Sequence, residues 1–186
     1  MNDAAIDGVV TPATVLAFWR AAGPDKWFEK DAAFDAAIHD KFLATYEAAA
    51  AGRLAWDDDP EGGLALVIVL DQFPRNMFRG NARAFAADPK ARAVTTRAIE
   101  RGFDQQVPVA ERCFFYLPFE HSETLADQER AVALNRASGD ADALKWAEVH
   151  ADIIRRFGRF PHRNKVLGRV TTPEEQAFLD GGGFAG

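Results

Sequence analysis

The sequence predicts an all-α fold, an antiparallel array of about eight helices in a single domain spanning residues 1–186. Three observations point there. Apolar residues recur at helical spacing through nearly every stretch of the chain. The runs open on Asp, Ser or Thr, several followed by proline, and glycine closes many of them, which is the start and stop chemistry of helices. The one β-branched run, 64–70, has no second run to pair with, and a lone strand would leave its backbone donors and acceptors unsatisfied.

Thr11-Pro12 opens the first helix, whose Val15, Leu16, Phe18 and Trp19 form an apolar face before Gly23-Pro24 stops it. Asp31 opens the second, in which Phe34, Ile38, Phe42 and Tyr46 recur every four residues until Gly52 ends it. Asp57-Asp58-Asp59-Pro60-Glu61 sets acids at the start of the next apolar run, where a helix dipole favours them. Leu64 to Leu70 then reads as a buried helix. A short helix is expected around 81–87, and Asp88-Pro89 caps one that carries Val94, Ala98 and Ile99 as far as Gly102. Pro108 begins another that reaches Tyr116, and Ser122 caps the next, which runs to Ala137. Asp140 to Phe157 is the longest late helix, with Ala143, Trp146, His150, Ile153 and Phe157 along one face. Thr172-Pro173-Glu174-Glu175 starts the last, which ends at Leu179, so the helical core is 11–179 and 180–186 is expected to be a flexible tail with little to pack.

The length suits one domain with a core of its own, needing no staple. Cys113 is the single cysteine, so it forms no intrachain disulfide and reads as a small apolar residue. The stretch Met1 to Val10 lacks the basic-then-apolar order of a secretory signal, and the longest apolar run is far shorter than the ~18 residues of a membrane span. A cytoplasmic protein with no membrane contact is the expectation. A net charge of −6 and a pI of about 5.2, without a broad cationic stripe, speak against nucleic acid as a partner.

Against that acidic background, two stretches join Phe-Pro to an Arg-Asn pair: Asp71 to Gly80 (DQFPRNMFRG) and Arg155 to Asn164 (RRFGRFPHRN). Nine of the 22 Lys and Arg residues fall in two acid-free spans, 75–83 and 155–169. Together with Phe115-Tyr116-Leu117-Pro118-Phe119-Glu120-His121-Ser122, these motifs resemble the bacterial family known as domain of unknown function 924. The likeness runs from Val15 to Leu179. It implies an all-α fold similar to tetratricopeptide-like arrays, and no assigned activity or catalytic residue comes with it.

Guanidinium forks set at loops and helix ends suit phosphate or carboxylate, so the chain is expected to bind a small anionic ligand or an acidic peptide terminus. The candidate ligand-binding residues are Asp71, Arg75, Asn76, Arg79, His121, His150, Arg159, His162, Arg163 and Asn164. The competing structural reading is that the arginines serve helix C-termini, where cations offset the dipole. An enzyme working on an anionic substrate through His121, Glu120 or His162 is the alternative, and a purely structural interaction module is the third. Ser122 lacks the strand-turn-helix setting of a nucleophile. His39, His121, His150 and His162 show no spacing typical of a helical zinc site, so neither a metal nor a cofactor is expected. His150 is expected to be buried or pocket-lining, near Glu120 or His121. The sequence also suggests that 73–80, 118–122 and 160–164 surround one site.

Overall fold

The computed structural model describes residues 7–184; residues 1–6 and the last two of the expected tail lie outside them. Among the described residues every regular element is helical, as the periodicity predicts. None of their helices is long and apolar enough to cross a membrane. The chain forms two compact units, Met1–Arg79 with Arg83–Pro118 and Gly80–Ala82 with Phe119–Gly186.

The first unit holds α1 (Pro12–Ala22), α2 (Pro24–Trp27), α3 (Ala32–Ala50), α4 (Pro60–Val67), α5 (Phe73–Met77) and α6 (Asp88–Glu100); α7 (Arg112–Glu120) starts in it. Three of its helices begin at side-chain caps, whereas α6 starts after Ala87, so Asp88 sits in its first turn rather than at the expected cap position. The Thr11 hydroxyl accepts from the Thr14 N–H, Asp31 from those of Ala33 and Phe34, and Asp59 from those of Glu61 and Gly62. Helix α1 packs on α4, α3 on α5 and α4 on α6. Their core is aromatic: Trp19, 1% exposed, stacks on Trp27 at 6.0 Å and meets Phe73 and Phe114 edge-on at 5.8 and 5.5 Å. Gly62 is required by closeness, because a Cβ there would stand 2.1 Å from the Trp56 carbonyl oxygen.

The buried run 64–70 is helical, but it does not stay α. Helix α4 widens into a π-helical turn, Ile68–Gln72, before α5. Pro74 supplies the reason. It has no N–H, and in an α-helix its ring would strike the carbonyl four residues back. The wider turn moves that carbonyl aside, and the Phe73 N–H bonds to Ile68, five residues back.

In the second unit α8 (Leu125–Ser138) and α9 (Ala141–Phe157) form a hairpin through Gly139, at φ +79°, and Asp140, which caps α9 from its side chain; α10 (Pro173–Asp180) follows. Helix α8 starts two residues later than expected. Ser122 does not cap it: its hydroxyl donates to Asp127 and accepts from the Thr124 N–H, and Thr124 takes the cap position. On α9 the buried stripe runs through Ala147, His150, Ala151, Ile153 and Ile154, small residues letting α8 approach closely. Trp146 lies at the stripe's edge and is 49% exposed, a correction to the expected face. Phe160, wholly buried, joins Ile153 and Ile154, with Phe178 and Phe184 packed on them. The segment after α10, expected to have little to pack, thus carries a core-contacting ring.

Candidate functional site

The second unit gathers the histidines, starting from the end of α7. Gln128, wholly buried on α8, donates from Nε2 to the carbonyls of Glu120 and Ser122, each at 2.6 Å, and so fixes the turn that presents Glu120 and His121. Asn135, one helical turn pair further along α8, donates to Glu120 Oε1 at 2.8 Å. The Glu120 carboxylate is therefore held, at 2% exposure, from a neighbouring helix.

Helix α9 brings His150 to it. The Nδ1 of His150 lies 2.8 Å from the Trp146 carbonyl, which can only accept, so this nitrogen carries the proton and Nε2 is the basic one. Glu120 Oε2 is 3.8 Å from the same Nδ1. His150 is thus buried beside Glu120 as the sequence suggests, although its bond to Trp146 lies within its own helix.

After α9 the chain turns back at Gly158, and the Phe160 N–H donates to Glu123 Oε1 at 2.9 Å. Arg169 grips the Glu123 carboxylate with both Nη atoms, at 2.9 and 2.8 Å. Burial pushes the Glu123 carboxyl up, but the Arg169 fork and the Phe160 N–H outweigh it and hold the pKa below the usual range. The following 3₁₀ turn, Pro161–Arg163, delivers His162 and Arg163. The Arg163 Nη1 donates to the His121 carbonyl at 3.0 Å, and its guanidinium stands 4.4 Å over the Phe160 ring.

Three imidazoles and two phenyl rings result. His121 is 6.1 Å from His150, and Phe160 lies 5.6 Å from His150 and 5.5 Å from His162. Phe184 meets His150 edge-on at 4.6 Å and His162 at 5.4 Å. His162 is kept neutral: burial first, then the charge of Arg163, pushes its pKa down to about 3. Its Nδ1 is buried without a hydrogen-bond partner among the described residues.

The other expected site residues are engaged elsewhere. Arg159 and Asn164 converge on Glu175, Arg159 through two bonds of 2.6 and 2.8 Å that draw the Glu175 pKa down to about 2. Arg155 pairs with Asp152, and Arg156 with Glu174. In the first unit Arg75 bridges Asp71, fully buried in the π-helical turn, and Asp88. Arg79 forks onto Asp35, which also accepts from Asn76. Of the three motif segments, 119–122 and 160–164 meet within the second unit, to which Pro118 does not belong. The polar side chains of 73–80 find acids inside the first. No three His, Cys, Asp or Glu side chains among the described residues are arranged to hold a metal ion.

Residues 15–183 match a family described as bacterial protein of unknown function (DUF924). The chain belongs to this family, as its three motifs imply. A solved structure of the protein of unknown function ATU0120 from Agrobacterium tumefaciens is 52% identical, covers 91% of this chain and 97% of its own, and superposes with a TM-score of 0.89. No curated protein matches. The segments around Phe119 and Phe160, which carry the imidazole cluster, both lie within the matched range. Sequence reading missed Gln128 and Asn135, whose signal was available: two amides on the apolar face of α8, where a polar group needs a partner. It also missed Phe184, which follows three glycines and offered no periodicity.

Proposed function

We propose that the cluster in the second unit is a binding site for a small anionic group, a carboxylate or a phosphate, with Arg163 supplying charge and His121 and His162 supplying hydrogen-bond donors. The carrying observation is His162 Nδ1, buried without a partner among the described residues and beside a guanidinium and two further imidazoles. A desolvated nitrogen costs stability until something bonds to it. An anion beside Arg163 would favour the protonated ring, which donates from both nitrogens. The arginines at 75, 79, 159 and 169 each fork onto a carboxylate and serve as structural ion pairs.

The Glu120–His150 pair favours a second reading, acid-base catalysis on such an anion. A carboxylate near Nδ1 orients an imidazole and raises the basicity of its far nitrogen. Binding stands first, because this arrangement includes donors for recognition but no identified nucleophile.

Histidine side-chain resonances followed by NMR during titration with inorganic phosphate and with acetate test the reading. His121 and His162 are expected to shift together and saturably, and His162→Gln to weaken the ion by about tenfold or more, the worth of one charged hydrogen bond. Shifts confined to the exposed His39 would overturn it.

A further inference from the structure

Phe184 marks what else the site accepts. It arrives by a defined route: the Gly183 N–H bonds to the Phe178 carbonyl at 2.9 Å and the Gly182 N–H to that of Leu179 at 3.2 Å, a Schellman stop with Gly182 at φ +80°. Gly183 passes so close to α10 that a Cβ would stand 2.5 Å from the Phe178 ring and 2.6 Å from its carbonyl oxygen. The glycines therefore direct the next residue. The Phe184 ring stands edge-on to His150 and His162, with Trp146 as a third wall at 6.3 Å. Trp146 is otherwise half exposed, an open side for this aromatic enclosure.

We infer that Phe184 is a built-in occupant of the imidazole site, and that the ligand which displaces it carries an aromatic ring next to its anionic group. The inference rests on the anion-binding reading above and adds the ligand's second half. Rings at right angles to His150 and His162 set the positive edge of one against the negative face of another, a preference that an aliphatic acid cannot satisfy. The partnerless His162 nitrogen and the positive charge of the neighbouring Arg163 suit the carboxylate of such an acid.

Phenylacetate and acetate serve as probes, titrated into the wild-type chain, Phe184→Ala and Gly183→Ala, with histidine resonances as readout. Phe184→Ala empties the enclosure, and Gly183→Ala diverts the segment while keeping the ring. Both variants are expected to bind phenylacetate about tenfold or more tightly than wild type, with acetate unchanged. Equal phenylacetate affinity in all three chains, or an equal gain for acetate, overturns the occupant and leaves the anion site standing. Silence of His121 and His162 toward both acids in every chain overturns the anion site itself.

Discussion

Replacing His162 with glutamine should flatten the acid side of the stability profile. In the folded chain the ring faces the Arg163 guanidinium, the imidazoles of His121 and His150 and the Glu123 carboxylate, and burial with the positive neighbours brings its pKa from 6.5 to about 3. The unfolded chain takes up a proton near 6.5 and the folded chain does not. Stability from this group is therefore fully present above pH 6.5 and is lost as the pH falls from there toward 3. Each pH unit in that window is worth about 1.4 kcal/mol, so lowering the pH from 8 to 5 should cost the wild type roughly 2 kcal/mol through His162 alone. Glutamine keeps a polar side chain of similar reach and does not titrate. Urea unfolding followed by circular dichroism at pH 8, 6 and 5 gives the difference between the two chains, in which every shared titration cancels. Wild type should lose roughly 2 kcal/mol more than His162→Gln over that range. Parallel losses in both chains would refute a buried neutral imidazole at this position.

Asn135→Ala removes the amide that donates to Glu120 inside the second unit, and should cost roughly 1.5 to 3 kcal/mol in denaturant unfolding, the range for a hydrogen bond to a charged group. An unchanged midpoint would mean that the carboxylate does not depend on this donor. Gly62→Ala should destabilise the first unit by roughly 1 to 3 kcal/mol or more, because the added methyl meets the Trp56 backbone carbonyl rather than a movable side chain. A thermal midpoint equal to wild type would show that the backbone yields there at no cost.

The helices were legible because their ends are chemical. Thr11, Asp31, Asp59, Asp140 and Thr172 each accept from the first turn of the helix they open, and the sequence marks each of these helix starts by its residue type. What caps do not report is register within a run. The π-helical turn at 68–72 answers Pro74, a residue in plain view, but apolar periodicity alone cannot tell a widened turn from an α one when every side chain is buried. Trp146 was assigned to the buried stripe by spacing, and α9 instead turns its small residues Ala147 and Ala151 toward α8, since close helix packing rewards the small side chain and leaves the large one at the rim.

The site was half legible for a similar reason. Glu120, His121 and His150 could be grouped from a helix face and a motif, because both are local. Charge was the misleading signal: a stretch without acids in sequence is not a region without acids in space. Arg79 reaches Asp35 across 44 residues, and Arg169 reaches Glu123 across 46. Arg75 and Asp88 are separated by 13, and Arg159 and Glu175 by 16. Each fork then serves as a cross-link between segments apart in sequence, which is how a chain with net charge −6 uses clustered cations: the surplus acids elsewhere are their partners. Within the same stretch Arg163 also donates to the carbonyl of His121 and stands over the Phe160 ring. Imidazoles, aromatic faces and the Glu123 carboxylate surround it, and its charge is one of the causes that keep His162 neutral. That pairing of a fixed cation with a ring that an incoming anion would recharge separates the second motif from the first.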